Sequence, residues 1–489
     1  MIGPRLVALA SFLSLVGPLS LFALVSEWEQ NPLDHGQSVT VSVDFSLALG
    51  PVKALNGINE GPGAGSEREA EMRDFAALNI ASVRLHDIPL TNPGVKLVDV
   101  QDIFPIWNPA ADPKDERNYF FDQTDDYIQT LVDCGVKEIF YRLGTSIEWT
   151  KPRQHFAKYP QDPERYAEVC AAIVRHYTRG WARGFKWGEA VKFKWEFWNE
   201  PNLRGACFDR DFDAYLDFYA RMGRRIRAEF PEAQFGGPSL TGMDFGYIRA
   251  FVDCCRTNSL PLDFFTIHAY LRTPEGGKWT IGRTDELRRL LDASGFKAAP
   301  IYLTEWNYFP CTWTDLATSG GRRRWRDGAA DGMNGIDAAA FITLCLTRWQ
   351  DQPLDGAHFY MFRNPGWGVY SPFGEKYPTY DALRLFGEFL GQGITRVAAS
   401  GAGNFSVLAG VTAAGARRIL ISDFKPGDSL DEVSRELTLK GAPAAGKARV
   451  QVLDAGADAA RSVEVEFSGG KFVLPAKAIS GSAVYLVEF

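Results

Sequence analysis

The sequence predicts a (β/α)8 barrel joined to a C-terminal antiparallel β-sandwich, and three observations predict it. Between about residues 50 and 390, short apolar runs alternate with amphipathic helical patterns, the order of a parallel sheet wrapped by helices. After Gly391 the helical period disappears, and short segments alternate apolar and polar residues between Gly-, Ala- and Asp-rich turns, as in a small sandwich. At 489 residues the chain is too long for one average domain and suits a large barrel plus a smaller module.

Taken in order, residues 1–26 come first. Leu6 to Val25 are almost wholly apolar, with Arg5 before them and a polar stretch from Glu27 after, which reads as a secretory signal peptide. The run is also long enough for an N-terminal membrane anchor. Either reading makes the protein secreted or periplasmic. In residues 37–49, Val39, Val41, Val43 and Phe45 alternate with Thr40, Ser42, Asp44 and Ser46, a half-buried strand. This strand is expected to join the sandwich of residues 391–489, tethering both ends of the chain to one module.

Residues 50–390 form the expected barrel, with strands near 55–59, 81–85, 138–143, 192–198, 234–236, 264–268, 301–304 and 357–362. Helical patterns separate most of them. Asp122 is placed to cap a helix with Tyr127, Ile128, Leu131 and Val132 on its apolar face, ended by Gly135. Another helix runs from Phe212 to Phe230 and stops at Pro231. An open doubly wound sheet competes with the barrel, but no Gly-rich phosphate loop follows the first strand. Sandwich strands are expected near 404–409, 418–422, 436–440, 448–453, 463–467, 471–474 and 483–487.

Composition narrows the chemistry. With 46% hydrophobic and 23% charged residues the chain has no disorder signature. A net charge of −7 argues against nucleic acid or an anionic membrane surface as a partner, so membrane contact is expected only through an N-terminal anchor. Among the seven cysteines, no C-x-x-C or Cys/His spacing suggests zinc. One or two disulfides are compatible with the spacing; a disulfide framework is not.

Two strings then stand out. Phe197-Trp198-Asn199-Glu200-Pro201 ends one apolar run, and Ile301-Tyr302-Leu303-Thr304-Glu305-Trp306-Asn307 ends another. Functional side chains of such barrels project from the C-terminal ends of strands, so Glu200 and Glu305 can point into one cleft. Two carboxyls so placed are what breaking a glycosidic bond requires, and carboxylates and water need no metal or organic cofactor. Asn199 offers an amide suited to a sugar 2-hydroxyl. His86 and His268 fall at two further predicted strand ends. Trp306 and Trp367 are candidate stacking platforms for a sugar ring, although for Trp367, on an irregular Gly-rich loop, core packing suits as well.

These motifs, in this order, resemble glycoside hydrolase family 39. The resemblance runs from about Asn56 to Phe386. It is carried by Tyr119-Phe120-Phe121 through Gly135, Arg142-Leu143-Gly144, the segment KWEFWNEPNL from Lys194 to Leu203, Phe235-Gly236-Gly237-Pro238, Leu262 to Tyr270, and Leu303-Thr304-Glu305-Trp306-Asn307. It implies a retaining glycosidase on a (β/α)8 barrel acting on an oligosaccharide or polysaccharide, with Glu200 as general acid/base and Glu305 as nucleophile. By the same resemblance His86 binds a sugar hydroxyl in the −1 subsite, and His268 and Tyr270 line that pocket, Tyr270 orienting the nucleophile.

The chain departs from the family at the eighth strand, where it reads Met361-Phe362-Arg363-Asn364-Pro365-Gly366-Trp367. An arginine there is suited to a substrate carboxylate or to neutralising acidic neighbours. The basic run Arg322-Arg323-Arg324-Trp325-Arg326 reads as a solvated loop, or as a rim that attracts an anionic polysaccharide. A β-xylosidase-like activity leads, with arabinosidase, galactosidase and uronide-acting variants of it. A non-catalytic carbohydrate-binding protein on the same fold, or a transglycosidase, is the alternative.

Overall fold

The computed structural model describes residues 39–63, 68–88, 96–146, 158–184, 187, 190–273, 276, 281–326, 331–371, 373–401, 405–426, 435–456, 459–477 and 481–489. The expected signal or anchor segment, 1–26, lies outside the described residues. Strand β1 (Val39–Pro51) precedes eight strands: β2 (Gly57–Asn59), β3 (Val83–Leu85), β4 (Glu138–Leu143), β5 (Lys192–Phe197), β6 (Gln234–Leu240), β7 (Phe265–Leu271), β8 (Ile301–Tyr308) and β9 (Gly356–Phe359). Each pairs in parallel with its neighbour and β9 returns to β2, closing a (β/α)8 barrel.

The helices between the strands form where an apolar stripe meets a cap. The helix Phe212–Glu229 starts at Asp211, whose carboxylate accepts from the Ala214 amide, and buries Tyr215, Phe218, Tyr219 and Met222 against the sheet. In the helix Asp122–Asp133, Asp122 is the first helical residue and Phe121 holds the cap position without a side-chain bond. The helix Ser319–Arg326 carries the basic run expected as a loop; Arg322 and Arg323 are exposed on it, and Arg323 pairs with Asp331 at 3.2 Å.

Strands β10 (Ile394–Ala399), β11 (Phe405–Thr412), β12 (Arg417–Asp423), β13 (Arg435–Lys440), β14 (Ala445–Asp454), β15 (Arg461–Ser468), β16 (Lys471–Val473) and β17 (Ala483–Glu488) build the second module. With β1 they close on themselves, β1 pairing antiparallel with β10 and parallel with β13. Strand β10 was not expected from the sequence; it follows the helix Pro378–Leu390 after only the short Gly391–Gly393 turn.

The helix Ile336–Arg348 is buried nearly all round because it lies between the two modules. Ser482 donates to Asp337 at 2.6 Å, and Ser422 donates to the Ala340 carbonyl at 2.7 Å. All seven cysteines are unbridged.

Candidate active site

Side chains inside the parallel barrel form layers that become more polar toward the C-terminal ends of the strands. Phe140, Phe264 and Tyr302 close the N-terminal end. Above them lies fully buried Arg84 of β3. Its Nε donates to Glu196 of β5 at 2.6 Å, its Nη1 to Glu305 at 2.8 Å and to Asn59 at 3.3 Å, and its Nη2 to Asn199 at 2.8 Å. Burial opposes a charge on Glu196, but Arg84 outweighs it and holds that carboxyl below its ordinary range. One guanidinium thus anchors both a structural carboxylate and the oxygen of Glu305.

Backbone irregularities at the strand ends aim the reactive groups. On β8 the register jumps from Ile267↔Leu303 to His268↔Glu305, so Thr304 is an extra residue, a bulge. The Thr304 carbonyl is taken by the Asn59 amide at 2.9 Å. Without the bulge, Glu305 would share the outward face of Ile301 and Leu303. With it, Glu305 faces the lumen and Trp306 faces out. After β5, Trp198 (φ +70°) and Glu200 (φ +46°) both take the left-handed region, a sharp turn that throws Glu200 over the barrel mouth. The turn is pinned by the Trp198 indole donating to the Cys207 carbonyl at 2.8 Å and by the Glu200 amide donating to the Ser239 carbonyl at 3.0 Å.

The two glutamates meet there. Glu200, His268 and Glu305 each bring one donor atom within 4.8 Å of the others. His268 Nδ1 lies 2.9 Å from Glu200 Oε1, and the Cys207 thiol stands 3.6 Å from Glu200 Oε2. The Tyr270 hydroxyl donates to Glu305 Oε2 at 2.8 Å. Burial pushes the Glu200 carboxyl up to about 7. Burial also raises Glu305, opposed by His268, Arg84 and the Tyr270 hydrogen bond. His268 is held down to about 4 by burial, so it is neutral beside the glutamates. His86 is likewise lowered by burial and then by Arg84 and Arg142. Arg142 Nε donates to His86 Nδ1 at 3.1 Å, which leaves the proton on Nε2, 3.7 Å from Glu305 Oε1.

Glu200, Glu305, His86, Asn199, His268 and Tyr270 are therefore brought together. Trp367 stands beside them, half-buried, its ring 5.2 Å from that of Tyr270, with its carbonyl tied to Asn307 at 2.9 Å. Trp306 is a correction: its ring is fully buried outside the lumen against Trp349 (4.8 Å) and Phe359 (5.4 Å), because the bulge turns it away from the pocket. Arg363 is partly exposed, and its Nη1 lies 2.7 Å from Glu71, the acidic-neighbour pairing that was one of its two expected roles. Arg84, Glu196, Cys207, Glu60, Asp87 and Tyr360 were not anticipated. The signal that finds the first two is charge at alternate positions in an otherwise apolar parallel strand.

A closed (β/α)8 barrel with two facing carboxyls at the ends of its fourth and seventh strands is the architecture of the barrel glycoside hydrolases. Residues 101–319, somewhat under half of the chain, match the family model "Glycosyl hydrolases family 39". It is 26% identical over 166 residues to a β-xylosidase of Geobacillus stearothermophilus, covering 30% of this chain and 32% of that protein. To a β-xylosidase of Caldicellulosiruptor saccharolyticus it is 22% identical over 307 residues, covering 57% and 58%. The matched segments thus span about a third to somewhat over half of these relatives. Among solved structures, a glucosidase from Croceicoccus marinus superposes with a TM-score of 0.70 at 24% identity, covering 92% of this chain and 99% of the other. A GH39 β-xylosidase from Caulobacter crescentus gives 0.64 at 19% identity, covering 92% and 99%. At these identities the superpositions speak to the fold.

Proposed function

We propose that the protein hydrolyses glycosidic bonds by double displacement, with retention at the anomeric carbon. The observation that carries this reading is the approach of a Glu200 oxygen and a Glu305 oxygen to within 4.8 Å. Retaining enzymes hold their carboxyls about 5–5.5 Å apart, whereas inverting ones need about 6.5–9.5 Å to admit a water between them. Glu200, kept protonated by burial, gives its proton to the glycosidic oxygen as the carbon–oxygen bond breaks. Glu305, its charge supported by Arg84, bonds to the anomeric carbon. Glu200, now a carboxylate, takes a proton from water, whose oxygen displaces Glu305 and regenerates both groups. Asn199, His86, His268 and Tyr270 hold the sugar and the carboxyls in place.

The substrate class we propose is a neutral pyranoside, of xyloside or glucoside type. The named activities of the relatives support it, and so does the pairing of Arg363, the one arginine expected to meet a uronate, with Glu71 at 2.7 Å. Export on residues 1–26 remains part of the proposal, and the mass of the mature chain recovered outside the cytoplasm tests it.

Glu200→Gln should cut kcat/KM on substrates with poor leaving groups by about 10²–10⁴-fold while sparing activated aryl glycosides. Glu305→Gln should remove both activities. Wild-type turnover of a natural substrate by either variant, or inverted product by NMR, would overturn the assignment.

A further inference from the structure

The two glutamates line one side of the pocket, and a second set of ionisable groups, unused by the mechanism above, lines the other. Asp87 follows His86, and its Oδ2 lies 3.5 Å from His86 Nε2, the nitrogen that also faces Glu305. The Tyr360 hydroxyl, just past β9, donates to the same Oδ2 at 3.2 Å. Lys96 Nζ lies 3.9 Å from Oδ1 and donates to the Asp87 carbonyl at 3.0 Å. Glu60, just past β2, is 4% exposed, and its Oε1 has no hydrogen-bond partner among the described residues. Leaving a buried carboxyl oxygen unpaired costs about 1–3 kcal/mol. A ligand hydroxyl at the mouth of the barrel would pair with such an atom.

We propose that Glu60, Asp87 and Tyr360 form a hydroxyl-reading subsite that binds two adjacent hydroxyls of the sugar held against Glu305, those at positions 3 and 4, and so selects which sugar the pocket accepts. The inference rests on the hydrolase reading. The geometry supports it because Asp87 and Glu305 flank one histidine nitrogen, so a ring whose anomeric carbon meets Glu305 has its far edge toward Asp87. The chemistry fits a vicinal diol. Asp87, with Lys96 and the Tyr360 hydroxyl against it, is an acceptor. Glu60, raised by burial and by the Asp87 charge, keeps a proton to donate. Burial and the neighbouring charges of Asp87 and Glu305 keep the Tyr360 phenol protonated. Groups of this kind discriminate, since an analogue lacking the hydroxyl leaves Glu60 unpaired and removes a partner from Asp87.

The test uses the aryl glycoside the wild type cleaves best and its 3-deoxy and 4-deoxy analogues. The wild type should lose at least about 100-fold in kcat/KM on a deoxy analogue. Asp87→Asn and Glu60→Gln should lose about as much on the parent, yet less than about fivefold further on the analogue lacking their hydroxyl. Equal losses on the parent and both analogues would mean a structural role and overturn the proposal. Should either variant fail to fold, Tyr360→Phe, which removes only the hydroxyl, carries the same expectation. If the wild type cleaves no glycoside, the hydrolase reading fails separately. Calorimetry with free xylose and free glucose then decides: binding at least about tenfold weaker in Asp87→Asn upholds the subsite, and equal or absent binding in both proteins overturns it.

Discussion

The two barrels of this chain close in similar ways and are filled in opposite ways. Inside the C-terminal barrel lie Val41, Val43, Val407, Ile419, Ile421, Leu437 and Val450, all buried and apolar. Inside the parallel barrel lie Arg84, Glu196, Asn59, His358 and Glu305, also buried, but charged or polar. The first filling is removed from water at a gain, roughly 25 cal/mol for each Å² of apolar surface. The second carries a desolvation cost that ion pairing only offsets, so it adds little net stability. What it provides is position: Arg84 fixes Glu305 and Asn199 from within the sheet. One barrel is a core, and the other is a scaffold for buried charge.

The largest effect expected from breaking that contrast is at Arg84. Arg84→Met leaves Glu196 and Glu305 buried without their cation, which should cost about 3–5 kcal/mol in chemical denaturation. It should also lower kcat/KM by more than about 100-fold, because the nucleophile loses its support. Stability and activity should fall together. Ile421→Ala, in the second barrel, should cost about 2–5 kcal/mol and leave kcat within about twofold of wild type at temperatures where the protein stays folded. A large fall in kcat there would show that the core barrel also positions the site.

The third expectation concerns pH. In the proposed mechanism Glu200 acts as acid only while protonated, and burial pushes its pKa up to about 7. Accordingly kcat/KM should fall about tenfold per unit as pH rises beyond that value. As the proposed nucleophile, Glu305 would attack only when ionised, and because its pKa is raised, the acid limb should begin above the ordinary carboxylate value of 4.5. Glu200→Gln should abolish the alkaline limb, and a wild-type profile flat to pH 9 would remove Glu200 from the role of acid. The smallest effect is at Arg363. Its bond to Glu71 is partly exposed, so Arg363→Ala should change kcat/KM on neutral glycosides by less than about threefold. A loss confined to uronides would return that arginine to the pocket.

Much of this was legible beforehand because barrel strands announce themselves as short apolar runs, and strand ends are where such barrels keep their chemistry. Glu200, Glu305, His86, His268 and Tyr270 all stood at predicted strand ends and all converge on one pocket. Arg84 and Glu196 were visible as charges inside apolar strands, yet their partners lie on strands 112 and 221 residues away from Arg84. Cys207 gave no signal at all, since a buried thiol reads as a small hydrophobe.

The sequence by itself determined the alternation of strand and helix and placed Glu200 and Glu305 at strand ends, because those follow from local period and residue type; closure of the parallel barrel is seen in the strand pairing. Which way the side chains face was decided only by the tertiary structure. Along β8, strict alternation counted from the lumen-facing Tyr302 turns Trp306 inward and Glu305 outward; the single extra residue at Thr304 reverses both. A bulge is set by hydrogen bonds to neighbouring strands, here β7 and the Asn59 amide, which no local pattern encodes. The same holds for Arg363, whose partner Glu71 sits on a helix at the other end of the barrel sequence. Local pattern supplied the reactive groups, and long-range pairing aimed them.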